Sequence, residues 1–212
     1  MTTVAYGKLT AGLIAIWFVF SLVASALHVF ATDASRPPLA LGLAALTPIV
    51  LFVAWCSVSK EFREFVLSLN PRTLTTLQSW RIAGFVFLVL YTYRILPGFF
   101  ALPAGWGDVF IGATAALVAA KLAGSEHRTG FILWQALGIL DLLTAVTLGT
   151  MSRLIAPHGI ATSAMTMLPL SLIPTFAVPL LMIFHFICIA QARRWPGPAQ
   201  LHYEQQLRSS AA

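Results

Sequence analysis

Charge is what this sequence has least of. Lys, Arg, Asp and Glu make up 9% of its 212 residues, against roughly 25% in an ordinary soluble domain. No hydrophilic stretch in it is long enough to fold as a separate soluble domain. Cysteine is nearly absent as well. Cys56 and Cys188 both sit in apolar runs and no C-x-x-C spacing occurs, so neither a disulfide framework nor a cysteine zinc site is indicated. The sequence contains no Walker loop, no H-E-x-x-H and no G-x-S-x-G, and its Ser and Thr residues show no nucleophile-and-base pairing. The formal charge is +6, but the basic residues are scattered among short loops and form no nucleic-acid module.

What the chain has in excess is apolar residues, at 58%. A soluble protein this apolar would have too little polar surface to face water. A bilayer removes that demand, because lipid becomes the outer solvent. Apolar runs long enough to span fall at about 9–30, 39–58, 80–96, 107–123, 130–151 and 165–190. The expected fold is therefore all-α, a polytopic membrane bundle of about six transmembrane helices in one domain over 1–195. A short cytoplasmic tail, 196–212, follows. Ala24-Ser25-Ala26 has the small-x-small form of a signal-peptide cleavage site. A cleaved chain would keep five spans and the same C-terminal side.

Lys and Arg favour the cytoplasmic flanks of spans, so counting them on alternating sides sets the orientation. With the N-terminus inside, the inner segments hold Lys8; Lys60, Arg63, Arg72 and Arg81; Lys121 and Arg128; and Arg193, Arg194 and Arg208. The outer segments hold Arg36, Arg94 and Arg153. Ten against three supports both ends inside. It also supports six crossings, because one span more or fewer would spoil the alternation. The overall pattern is similar to that of small bacterial integral membrane proteins, which implies a bacterial-type inner membrane. The bilayer is then the first partner, with a second copy or another membrane subunit as further ones.

Two connectors stand out. In 59–79, Phe62, Phe65, Val66 and Leu69 share one helical face while Lys60, Glu61, Arg63 and Glu64 fall largely on the other. This predicts an amphipathic interfacial helix between spans two and three, ended by Asn70-Pro71. The apolar stretch 96–108 holds two prolines and three glycines. It reads either as a short re-entrant or interfacial segment on the outer side or as a tight apolar turn.

Ionisable side chains inside spans are costly, and so they point to a site. They are His28, Arg94, Asp108, Asp141 and His185. Asp108 shares a face with Gly112, Ala116 and Ala120, Asp141 with Gly138, Ala145 and Gly149, and His28 with Ser21, Ala24 and Ser25. Small residues mark close helix contacts, so these faces are expected to meet protein. Arg94 and Asp108, at similar depth on consecutive spans, form the expected ion pair. Asp141 then lies deeper without a cation of its own, open to a proton, a substrate cation or His28, with Tyr91 and Gln135 supplying hydrogen bonds. The binding set read from the sequence is Asp141, Asp108, Arg94, His28 and Tyr91. The same residues would also serve as a purely structural polar staple. Gly105-x-x-Asp108 and Gly138-x-x-Asp141 repeat one pattern on helices of opposite direction, as inverted repeats of transporters do.

No cofactor is identifiable. His28 and His185 are expected near opposite faces of the membrane, a separation that argues against a shared iron, and a metal between His28 and His158 needs a loop to fold inward. His185 reads as a packed histidine with one hydrogen bond. Pro169, Pro174 and Pro179 free carbonyls in span six and should bend it.

Three functions fit: a proton- or cation-linked transporter with an outer polar cavity, a membrane-embedded enzyme acting on a lipid-like substrate, and a non-catalytic subunit or assembly factor. The topology is directly testable. Green fluorescent protein fused after Ala212 is expected to fluoresce in bacteria, and alkaline phosphatase fused after Arg36 is expected to be active. The opposite pattern would invert the orientation.

Overall fold

A computed structural model of the chain describes residues 3–31, 38–156 and 159–196. Arg36, His158 and the tail from 197 onward lie outside the described residues, and so does the side chain of Arg153. The described residues are all-helical. Six helices are long and apolar enough to cross a membrane: Val4–Ala26, Leu39–Val58, Pro71–Thr92, Gly98–Lys121, Ser125–Thr150 and Ile173–Ala192. The chain is a multi-pass membrane protein by that measure. Large apolar residues such as Ile16, Phe20, Leu43 and Leu51 are exposed on the first two spans, as side chains facing lipid are.

Spans one and two are α1 (Thr3–Ala26) and α2 (Leu39–Val58), close to the sequence boundaries. Next comes α3 (Lys60–Leu67), capped by Ser59, whose hydroxyl accepts from the Phe62 N–H at 3.2 Å. The Glu61 backbone N–H and the Ser59 hydroxyl hold the Glu61 carboxyl below the usual carboxylate range. The apolar face of α3 turns into the bundle. Phe62 stacks on Trp55 with ring centroids 3.9 Å apart, and Tyr6 of α1 lies over Phe65.

Span three differs from its sequence boundary. It starts at Pro71 instead of near Trp80, with α4 (Pro71–Leu77), a 3-10 segment Gln78–Gly84 and α5 (Phe85–Thr92). Asn70 caps α4, and Pro71 takes its first position, where a missing N–H costs nothing. The polar residues that seemed to belong to a loop, Thr75, Gln78 and Arg81, are buried inside the span. Arg81 therefore leaves the inner-loop count, which becomes nine against three.

Span four is α6 (Gly98–Lys121). The stretch 96–108 is neither re-entrant nor a turn from Gly98 onward. It forms the first turns of this helix, with Pro103 inside. In lipid a backbone that leaves the helix strands its polar groups, so glycine and proline are tolerated where in water they would end the element. Span five is α7 (Arg128–Thr150), followed by the short α8 (Ser152–Ile155). A 3-10 turn, Thr162–Thr166, precedes span six, which begins at Ile173 instead of Met165. That span opens with a π turn, Ile173–Ala177, and continues as α9 (Val178–Ala192).

Proline in span six has a use. Pro179 has no N–H to donate to the carbonyl four residues back. That carbonyl, of Thr175, accepts instead from the Trp17 indole at 3.0 Å and the Ser21 hydroxyl at 3.4 Å, both on α1. The Trp17 ring also lies 4.9 Å from that of Phe176. A freed carbonyl in an apolar medium needs a donor, and here it fixes where α1 docks.

Apolar clusters sit toward both ends of the bundle. One gathers Phe62, Leu74, Ile111, Phe131, Trp134 and Ile187. The other gathers Phe87, Leu96, Phe100, Ala104 and Met165. Between them runs the polar core.

Candidate functional site

Thr75, Gln78, Arg81 and Gly84 recur at steps of three in span three. A 3-10 helix has three residues per turn, so such a series stacks on one face. The segment Gln78–Gly84 turns Gln78, Arg81 and Gly84 inward. Arg81 is ten residues from Pro71 and eleven from Thr92, about 15 Å of helical rise from either end. Its side chain is 1% exposed. A lone guanidinium at that depth is expensive, and its partners offset the cost.

The Arg81 Nε–H donates to Asp108 Oδ1 at 2.7 Å, and Nη2 donates to Asp141 Oδ2. Nη1 donates to the Gly138 carbonyl and to His185 Nε2, each at 3.2 Å. Four of the five guanidinium N–H groups are thus used, on three different spans. A point-charge lysine could not reproduce that fork.

The network continues in one direction. Arginine can only donate, so His185 Nε2 accepts and its Nδ1–H donates to Gln135 Oε1 at 2.5 Å. Gln135 Nε2 then donates to Thr75 Oγ1 at 3.0 Å. Thr75 meets Cys188 Sγ at 3.8 Å, and the thiol reaches the Pro71 carbonyl at 3.9 Å. His185 therefore makes two polar contacts instead of one. Gln78 joins spans three and six separately, donating to the Leu181 carbonyl at 3.1 Å.

Glycine makes room for this cluster. A Cβ on Gly84 would overlap the Asp108 side chain, one on Gly107 would overlap Asp141, and one on Gly138 would overlap the His185 ring. At Gly112 it would overlap the backbone of Arg81 and Ile82. Gly112 and Gly138 of the small faces seen in the sequence are therefore contact points, as membrane helix packing requires, whereas Ala116 and Ala120, on the expected Asp108 face, are exposed.

Of the residues expected at a site, Asp108 and Asp141 come together, joined by Arg81 in place of Arg94. With α6 starting at Gly98, Asp108 lies near mid-span instead of at the outer start. Arg94 and His28 have another task. Each has a left-handed backbone, with φ of 55° and 56° respectively. The His28 N–H donates to the Ser25 carbonyl and the Val29 N–H to that of Ala24; Arg94 to Tyr91 and Ile95 to Leu90 repeat the pattern. Both are Schellman caps. They close the helices before them and leave their side chains exposed. His28 thus does not face packed protein as its helical spacing suggests. Tyr91 is 42% exposed, with its ring over Gly98. None of these three is bonded to the Arg81 cluster.

Beside the cluster lies a cavity of about 370 Å³. It sits at the end of the bundle where α2 begins and α7 finishes. Its wall is mainly apolar, with Leu41, Phe87, Phe100, Leu142, Ile173 and Val178, and Asp108 is its acidic member. Arg81 occupies only Oδ1 of that carboxylate. Among the described residues no hydrogen bond reaches Oδ2, and the side chain keeps 15% exposure. Around the far part of the wall Ser152 bonds Thr162 at 2.9 Å, and Thr162 donates to the Gly149 carbonyl at 2.8 Å.

Residues 38–193 match a family described as a domain of unknown function (DUF8737). The chain belongs to that family. No curated protein and no solved structure matches it. The DUF8737 region holds spans two to six, every member of the Arg81 network and the cavity, and leaves α1 outside.

The DUF8737 core should depend on Arg81 for folding. Arg81→Ala strands two carboxylates and is expected to cost about 3–5 kcal/mol, read as a lower thermal midpoint in detergent. Adding Asp108→Asn and Asp141→Asn to it should recover most of that loss. An Arg81→Ala protein as stable as wild type would show that the carboxylates do not need the guanidinium.

Proposed function

We propose that this protein is a proton- or cation-linked transporter whose loading site is the pair Asp108 and Asp141. One observation carries the reading. Two carboxylates share a single guanidinium at mid-span depth, so the group bears one negative charge too many when both are ionised. An apolar interior does not hold a net charge cheaply. One proton or one monovalent cation balances it, and loading or losing that charge changes the energy of the whole cluster. Arg81 fixes the two acids at a set distance, and its other donors tie them to span six through His185.

The surroundings suit a site that moves. A 3-10 segment on one side and a π turn on the other interrupt the two spans that line it, and such interruptions are frequent at functional hinges. The glycine pairing of Gly105-x-x-Asp108 with Gly138-x-x-Asp141 fits acids on helices of opposite direction. The orientation that goes with this reading has both termini in the cytoplasm of a bacterial-type inner membrane, α3 at the inner face and the cavity on the outer side. The remaining excess of Lys and Arg at the proposed inner loops supports it.

The apolar cavity ending on a carboxylate also suits a second reading, an enzyme that uses Asp108 and Asp141 as acid and base on a lipid-like substrate. A proton-flux assay separates the two. In proteoliposomes, an imposed pH gradient is expected to move protons faster than in protein-free vesicles. Asp141→Asn should return the rate to that of lipid alone while expression and thermal midpoint stay near wild type. Equal rates with and without Asp141 would remove it from the mechanism.

A further inference from the structure

The cavity beside Asp108 carries information about what the site takes. It has three zones. Asp108 is its acidic lining residue, and Oδ2 of that carboxylate has no hydrogen-bond partner among the described residues, on a side chain that is 15% exposed. The walls are aromatic and aliphatic, from Phe87, Phe100, Leu142, Ile173 and Val178. The hydroxyls of Thr162 and Ser152 near the far side are already bonded to each other and to the chain. They add little demand for a polar ligand there. The volume, about 370 Å³, falls at the lower end of the range for small-molecule sites and is too small for a two-chain phospholipid.

We propose that this cavity binds a small single-chain amphiphile with a protonated amine, its ammonium group on Asp108 Oδ2 and its hydrocarbon body along Phe87, Phe100 and Ile173. The inference deepens the transport reading and rests on it, because the ammonium supplies the single positive charge that the Arg81–Asp108–Asp141 group lacks. An anionic head would meet the Asp108 carboxylate on its wall. A neutral apolar ligand would leave Oδ2 unpaired and dry, which is the costly outcome for a charged acceptor. The cation satisfies both requirements at once. Ammonium binding and proton binding then compete for the same negative charge, which is the arrangement an exchanger of one for the other needs.

The test uses the full-length protein in nanodiscs of phosphatidylcholine and phosphatidylglycerol, which carry no primary amine. The probes are n-octylamine, n-octanol and octanoate, which share a chain and differ in the head. Octylamine should raise the thermal midpoint saturably and bind at least about tenfold tighter than octanol, with octanoate giving no saturable shift. Asp108→Asn should cut octylamine affinity by about tenfold and leave octanol unchanged. Gly42→Phe, on α2 and away from the ionic cluster, fills the wall and should weaken both. Octylamine and octanol binding equally well to wild type would overturn the proposal without any variant being needed. Displacement of octylamine on adding phosphatidylethanolamine would also overturn it, since the occupant would then be a lipid headgroup. If octylamine shows its Asp108-dependent binding while no proton flux is found, the amine site stands and the transport reading falls. If proton flux depends on Asp141 but octylamine has no advantage over octanol, the transport reading stands and the amine site falls.

Discussion

A guanidinium held between two carboxylates in the middle of an apolar bundle organises the molecule around it. Arg81 contributes one positive charge and a rigid fork of donors. Asp108, Asp141, the Gly138 carbonyl and His185 each take part of it. Spans three to six are thereby tied to one point. In lipid the apolar faces of helices give no strong preference for one register over another, because lipid tails are as apolar as leucine. A buried ionic group that is satisfied in a single arrangement does give that preference. Removing Arg81 leaves both carboxylates charged and dry, so the guanidinium specifies the fold through the cost of arrangements that lose it.

The backbone around the cluster is shaped to admit it. A regular α-helix would spread Thr75, Gln78, Arg81 and Gly84 around its surface by degrees, whereas the 3-10 segment Gln78–Gly84 stacks the last three toward α6. Gly84, Gly107, Gly112 and Gly138 remove the side chains that would otherwise stand in the space of Asp108, Asp141, the Arg81 backbone and His185. Span six contributes its own irregularity. Pro179 releases the Thr175 carbonyl, which Trp17 and Ser21 take up, so α1 docks on the same helix that carries His185.

Much of this was legible in the residues, and the parts that were not have physical causes. Six spans follow from apolar length alone. The close contacts at Gly112 and Gly138 follow from their helical spacing to Asp108 and Asp141, while Ala116 and Ala120 on the same spacing are exposed. Arg81 escaped because a positive residue flanked by Ser79 and Trp80 looks like the inner edge of a span, and a charge count rewards placing it there. The signal that would have found it is the run Thr75-x-x-Gln78-x-x-Arg81-x-x-Gly84. Its period of three belongs to neither an α-helix nor a strand. The early start of α6 was hidden by Pro103 and its neighbouring glycines, which signal a break in water and are tolerated in lipid. With both boundaries misplaced, Arg94 was the cation left at the depth assigned to Asp108. Arg94 and His28 instead end their helices in left-handed caps, positions more often held by glycine and invisible to a reading based on charge.

Arg81 bridges both acids, and the scarcity of aspartate makes that bridge easy to observe. Asp33, Asp108 and Asp141 are the three aspartates of the chain. Solid-state NMR of the protein in lipid, with nitrogen-15 arginine and carbon-13 aspartate, reads guanidinium-to-carboxyl proximity directly. Two carboxyl carbons coupled to one guanidinium are expected, each signal lost separately in Asp108→Asn and Asp141→Asn. A guanidinium coupled to one carboxyl or to neither would contradict the bridge.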